Sequence, residues 1–467
     1  MTTSDRSATP TTAPSGGTLR GDQPHPASDT ASVAETARVA ATVLAPTIAA
    51  GPITRRPAVM HLAERFDLDR RAIATLRRLR RTHHGRPVRL RLPGRSVTVL
   101  LDHADAGRML AAAPVPFSPA TLEKRAALSR FQPHGVLVSE GPWRQRRRDA
   151  NEDALEPGRE LHHLASEWVD PIRTGADDLP SGIGWEDFST VWWRIVRQVT
   201  LGGDTADDRE VTDLLGRLRQ DANWAYLLPR NRRLRDRFLA LVRQQTGLDR
   251  QGSLVSALNA VAADARQAGT GPGDTGLDAA GQVPHWLFAF DAAGIATFRA
   301  LALIATHPGA HARAREEAGH RGEDEVRQLP FLRACVLESL RLWPTTPALL
   351  REARADTAWG GEGTTFLAFT PLFHRDSGRL PYADRFDPDI WLDGRARAQP
   401  ALVPFSSGPA ACPGRDVVLF TTATLLAAIL GRREVRLTGT GGTRLGPGRL
   451  PASLNHVTLT FSSRPST

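Results

Sequence analysis

The sequence predicts a mainly α-helical protein with a small β region, an α+β chain folded as one large domain. Three observations carry this. Apolar residues recur at helical spacing through most of 103–260, for example Leu214, Leu215 and Leu218, then Leu239, Leu241 and Val242. The stretch VPHWLFAFDAAGIATFRALALIATH (283–307) is apolar almost all round, as expected of a helix running through a core. Strand pattern is confined to short runs. The clearest is RPVRLRLPGRSVTVLL (86–101), which alternates apolar and polar residues on both sides of a Pro-Gly turn.

Taken in order, residues 1–32 are mostly Thr, Ser, Pro and Gly with little to bury, and are expected to be a disordered leader to a domain spanning 33–467. The hairpin and the helical series follow. The glycine-rich QAGTGPGDTGLDAAGQ (267–282) then reads as a surface connection. Pro284 suits the first turn of the long apolar helix, in which Gly294 is the single breaker. A second helix, LPFLRACVLESLRLWP, ends at Pro344. Short strands and turns lead to a last apolar helix at 416–430, directly after the loop PFSSGPAACPGR (404–415). There is no internal repeat.

Composition narrows the function classes. The apolar fraction of 41% and charged fraction of 24% are ordinary for globular proteins. A net charge of +10 comes almost wholly from arginine, Lys124 being the sole lysine, and reads as a solvated surface with codon bias. The basic run PRNRRLRDRF (229–238) has too few aromatics for base stacking, so nucleic acid is not expected as a partner. Two cysteines, Cys335 and Cys412, make no disulfide framework and point to a reducing compartment. No stretch reads as ~20 consecutive apolar residues, VAATVLAP near residue 40 being short. With no signal peptide pattern either, the expectation is a cytoplasmic protein without a membrane anchor.

Cys412 lies in a loop crowded with Gly and Pro ahead of a helix. Such a loop turns backbone N–H groups toward the sulfur, and the helix N-terminus adds partial positive charge, the seat a thiolate ligand needs. Phe405 offers an aromatic shield, Gly408 permits a tight turn, and Gly414 lets the backbone approach a large planar ligand. The string Phe405-x-x-Gly408-x-x-x-Cys412-x-Gly414 resembles the haem-binding signature of the cytochrome P-450 family, in which the cysteine thiolate is the proximal ligand of haem iron.

Further motifs match this family in order. Glu338-x-x-Arg341 resembles its ExxR pair, one turn apart on one helix face and flanked by Val336, Leu337, Leu340 and Leu342. The resemblance gives the pair a third partner, Arg385 of ADRFDPDIW, and HRD at 374–376 is similar to the run that leads into it. Trp143-x-x-x-Arg147 resembles the helix motif that contacts haem propionates, and Arg351 matches another propionate arginine. Ala410 departs from the family's His or Arg at that place. AFDAAGIATF resembles the oxygen-binding segment, with Ala293, Gly294 and Thr297 matching: the small pair opens a groove for dioxygen, and the threonine hydroxyl serves proton delivery. The bland role for Thr297 is a bond back to the carbonyl four residues earlier.

The family's acid before that threonine is Ala296 here, and Asp291 lies roughly 120° away around the helix. The resemblance thus implies a haem b monooxygenase with Cys412 as the iron ligand. It would use dioxygen and electrons from a separate ferredoxin and ferredoxin reductase to oxidise a hydrophobic small molecule, in specialised-metabolite biosynthesis. Arg144, Arg146 and Arg148 are expected on the electron-acceptor face. The pocket is expected to be lined by Phe117–Val136, Phe290, Ala293, Ala348–Leu350 and Leu454. Ala296 keeps open a haem-thiolate enzyme of other chemistry, whether peroxide-using, dehydratase or isomerase. A non-catalytic haem sensor is the remaining alternative.

Overall fold

The computed structural model describes residues 27–267, 278–319 and 325–465. Residues 1–26 of the expected leader, and 268–277 of the glycine-rich connection, lie outside them. Residues 27–32 of that expected leader fall among the described ones. Asp29–Thr30 pairs in parallel with Val88 and Arg89, and Asp29 meets His83 and Arg86. Ser32 then caps the helix Val33–Val39 in a capping box with Glu35. Backbone ladder, cap and charge hold the polar residues here, while Ala31 and Val39 are buried in the apolar cluster on the sheet.

A six-stranded sheet runs in the order Asp29–Thr30, Val88–Leu92, Arg95–Leu100, Thr365–Phe369, Ala348–Ala353, Phe117–Ser118. The expected hairpin is present, with Val88 opposite Val99. The parallel pairing of Arg95–Leu100 with Thr365–Phe369 brings in the later strands, so that Ala348–Ala353, antiparallel to Thr365–Phe369, carries Arg351. Val43, Leu76, Met109 and Phe366 belong to the buried cluster on this sheet. A smaller sheet joins Gly182–Ile183, Leu459–Pro465 and Arg433–Thr440.

The larger core is helical. Helix Val283–Thr306 packs against Trp185–Leu201, Pro330–Leu342 and Arg415–Arg432. By length and apolarity it would cross a bilayer, contrary to the expectation that no stretch would, but 78% of its most apolar window is buried inside the protein, so its apolar faces serve the core. Indole donors pin it in place: Trp286 Nε1 donates to Asn151 Oδ1 at 2.7 Å, and Trp192 Nε1 to the Phe290 carbonyl at 2.8 Å. Cys335 is fully buried in this core, and burial pushes its thiol far above the usual range, leaving it a spacer.

Candidate functional site

The Cys412 loop closes through its own backbone and opens into helix Arg415–Arg432, whose N-cap is Gly414. The Cys412 amide donates to the Phe405 carbonyl at 2.9 Å, and the Ala411 amide to the Gly408 carbonyl at 2.9 Å. Gly408 has φ +67, and a Cβ there would lie 2.3 Å from the Leu110 carbonyl oxygen, so both the turn and the close approach require glycine. Gly414 differs. A Cβ there would meet nothing nearer than Leu155 at 3.9 Å, so the backbone does not demand glycine and the space beside the cysteine is clear. Burial pushes the Cys412 thiol up; the Gly414 amide bonded to the sulfur and the Arg148 charge oppose this. Alone it is a thiol, and a Lewis-acidic metal is what would make it a thiolate.

Three buried arginines stand beside this loop. Arg351, 2% exposed, donates through Nη2 to Ser406 Oγ at 3.1 Å while its Nε has no partner. Burial and the Arg144 charge bring its pKa down to about 10. Arg148 donates to the Ala411 carbonyl at 2.6 Å and to Glu152. Arg144 is buried with its Nε unpartnered. The last two correct the sequence reading: helix Gly141–Leu155 turns Arg144, Arg148, Asn151 and Leu155 inward, so neither belongs to an exposed electron-acceptor face, and only Arg146 of the three is exposed. Trp143, expected toward the cofactor, is 46% exposed with Arg147 near its ring; Arg147 donates to Ser139 Oγ at 2.6 Å and leaves its Nε buried and unpartnered. The helical wheel that pairs Trp143 with Arg147 also pairs Arg144 with Arg148, and the pattern alone does not say which pair turns inward.

These groups fit a haem. Arg144, Arg147 and Arg351 each hold an unpartnered buried N–H, with one carboxylate, Glu152, in contact with the cluster through Arg148. Guanidiniums so disposed suit the two carboxylates of a planar dianionic group, and a cysteine at a helix N-terminus with cleared space at Gly414 suits its metal.

On the long helix, the Thr297 hydroxyl donates to the Ala293 carbonyl at 2.8 Å, the ordinary helix-threonine bond. Ala296 is buried in the apolar core, and Asp291 is ion-paired with Arg219. No carboxylate is therefore available at either place. Gly294 does not open a groove. A Cβ there would meet Trp192 Cδ1 and Nε1 at 2.7 Å, so its missing side chain is filled by the indole that bonds the Phe290 carbonyl.

Glu338 and Arg341 are both fully buried and bidentate, at 2.6 and 2.7 Å. Their third partner is not the Arg385 side chain, which is exposed; Arg385 contributes its carbonyl, as do His374, Tyr382 and Ala383, all accepting from Arg341. The Glu338 carboxylate instead accepts from the Asp387 amide at 2.9 Å and Trp391 Nε1 at 3.0 Å. An exposed guanidinium adds nothing to a pair whose lone pairs are already filled. The network reaches the cysteine loop through His374, whose Nε2 accepts from the Val403 amide at 3.1 Å. Burial and Arg341 bring that imidazole down to about 3, keeping it a neutral acceptor.

Sequence reading missed two polar groups in the expected pocket. Lys124 Nζ donates to the Leu350 carbonyl at 3.2 Å, and burial with the Arg351 charge brings its pKa to about 7. His285, two turns before Ala293, is held at about 4 by burial and by Lys124. Being the sole lysine among so many arginines was the available signal for the first. Phe290, Ala293 and Leu454 are buried and Leu350 half-buried, as an apolar lining requires.

Comparison with known proteins gives concordant results. The family model described as "Cytochrome P-450" matches residues 289–444, which hold the long helix from Ala289 through the cysteine loop. Among curated relatives, "Probable cytochrome P-450 4s3" of Drosophila melanogaster is 32% identical over 136 residues, covering 28% of each chain. Two Streptomyces melanosporofaciens proteins, "Cyclooctat-9-en-7-ol 5-monooxygenase" and "Cyclooctatin synthase", are 32% and 35% identical over 29% and 31% of this chain. These alignments span between 28% and 34% of the relatives' own length. A solved six-coordinated cytochrome P-450 from Thermus thermophilus shares the fold with TM-score 0.59 at 19% identity, covering 85% of this chain and 98% of that one.

Proposed function

The chain belongs to the cytochrome P-450 superfamily, and from that premise we propose that it is a haem b-dependent monooxygenase of a hydrophobic small molecule, acting in the cytoplasm. The carrying observation is the Cys412 loop, a cysteine at a helix N-terminus beside buried arginines with unpartnered N–H groups. Bound through Cys412 and the cluster of Arg144, Arg147 and Arg351, haem would supply the iron chemistry that activates dioxygen. The chain's own residues do the rest. The Gly414 amide and Arg148 favour the charged form of Cys412. Thr297, by leaving the Ala293 carbonyl, becomes a proton donor on the pocket side. Phe290, Ala293, Leu350 and Leu454 exclude water around the substrate.

Electrons would come from a separate ferredoxin and ferredoxin reductase. The two Streptomyces relatives, one named as a monooxygenase, support a role in specialised-metabolite biosynthesis. A second reading, peroxide-driven or non-oxidative chemistry on the same haem, is favoured by one observation: Ala296 is buried and Asp291 is held by Arg219, so neither position of the long helix offers Thr297 a free acid. The test is the absorption spectrum of the reduced protein under carbon monoxide, beside Cys412→Ser. A thiolate-type Soret band lost in the variant is expected; a wild type without haem would sink the proposal. Turnover dependent on reduced ferredoxin then separates the first reading from the second.

A further inference from the structure

A cavity of about 70 Å³ lies between the N-terminal helices, the long helix at Arg299, the turn Trp343–Pro347 and the segment Ala452–Leu454. Three ionisable side chains line it: Arg55, Asp69 and Arg299. Arg55 donates to the Gly51 carbonyl at 3.0 Å and to that of Thr345; Arg299 donates to Trp343 at 3.2 Å and to Leu454. The Arg299 Nε–H is buried without a partner, in a residue 5% exposed. Asp69 accepts from the Ser453 hydroxyl at 2.7 Å, and the two arginines act on it only at longer range.

In the lining of the cavity, Arg55 and Arg299 outnumber Asp69. Arg55 and Arg299 repel each other, and burial with that repulsion brings Arg299 to about 9. Burial raises the Asp69 carboxyl, weakening the one acidic side chain in the lining. Two carboxylates outside the lining are ion-paired, Asp67 with Arg70 and Asp291 with Arg219, while Glu64 accepts from the Asn455 amide and acts on Arg299 at longer range. His456, buried beside them, is held neutral by burial and by both arginines. Half-buried Arg55 and buried Arg299, whose Nε–H has no partner, face a single acidic side chain in the lining, and an unpaired buried donor is costly unless something fills the space beside it.

We propose that this cavity is a binding site for a small monovalent oxyanion of the carboxylate type, held between Arg55 and Arg299. A planar carboxylate matches the guanidinium fork. The volume is several times the roughly 10–15 Å³ needed for one water, which admits a formate- or acetate-sized group and excludes bulky phosphate esters. Asp69 sets the charge: a dianion would meet a facing carboxyl. Because both arginines already hold Thr345, Trp343 and Leu454, an anion here firms the turn that leads into the strand bearing Arg351. None of the lining residues lies in the cysteine loop, and the one it shares with the proposed substrate pocket is Leu454.

The test is thermal unfolding of the full-length protein titrated with formate, and separately with formamide, its uncharged counterpart, at an ionic strength held by a bulky sulfonate. Formate is expected to raise the melting temperature saturably and formamide not to. Asp69→Asn, which removes the facing carboxyl and keeps an acceptor for Ser453, is expected to tighten formate about tenfold, and Arg299→Lys to weaken it. Equal effects of formate and formamide, or an unchanged affinity in Asp69→Asn, would overturn the proposal; these arms hold even if Arg299→Lys folds poorly. Dodecanoate beside its methyl ester identifies the source. Binding of dodecanoate alone of that pair, lost in Arg299→Lys, assigns the anion to the acid end of a longer molecule, and formate binding without it assigns a free anion.

Discussion

Replacing Arg385 by Ala and Trp391 by Phe separates two accounts of what completes the buried Glu338–Arg341 pair. Motif resemblance assigns the third place to the Arg385 guanidinium; the geometry assigns it to the Trp391 indole, the Asp387 amide and four carbonyls. Arg385 is exposed and lends only its carbonyl, which alanine retains, so Arg385→Ala should change stability by no more than about 0.5 kcal/mol. Trp391→Phe removes an N–H donor at 3.0 Å from a buried carboxylate, and a hydrogen bond to a charged group contributes about 1.5–3 kcal/mol. Glu338→Gln leaves the Arg341 charge unpaired in a site with no exposure, at a cost of about 3–5 kcal/mol. Denaturant unfolding followed by far-UV dichroism gives the three midpoints. An Arg385→Ala loss as large as that of Glu338→Gln would refute the assignment and restore the guanidinium to the network.

Gly294→Ala should cost about 1–3 kcal/mol, because the new methyl displaces Trp192 and strains its bond to Phe290; an unchanged midpoint and unchanged tryptophan fluorescence would contradict the packing. Lys124, the sole lysine, gives one side-chain signal after reductive methylation with labelled formaldehyde, and that signal should titrate near 7 rather than at the ordinary 10.5; a midpoint above about 9 would show that the ammonium is in water. His285 and His374 are neutral in the fold, lowered to about 4 and about 3, whereas in the unfolded chain they take a proton near 6.5. The unfolded state then binds more protons, so stability is full above pH 6.5 and is lost as pH falls from 6.5 toward 4. His285→Phe should flatten that loss, and a wild-type curve level across the window would speak against burial of these rings.

The sequence by itself determined the elements whose signal is local. All-round apolarity located the long helix, the Pro-Gly turn located the hairpin, and the i, i+3 spacing placed Glu338 and Arg341 within reach of each other before any packing was known. The Cys412 loop was legible for the same reason: its glycines and the helix start after it are neighbours along the chain. What the tertiary structure alone decided depends on partners remote in sequence. Trp192 fills the space at Gly294 while bonding Phe290, 98 residues from it along the chain, so a glycine that reads as a groove is a packing contact. Trp391 reaches Glu338 across 53 residues, displacing an arginine whose motif position is right and whose side chain faces water. The inward turn of Arg144 and Arg148 follows from helix Gly141–Leu155 meeting the cysteine loop, with the Ala411 carbonyl 263 residues from Arg148. A helical wheel sets which residues share a face; which face is buried is set by the element that packs on it, and that is a property of the whole chain.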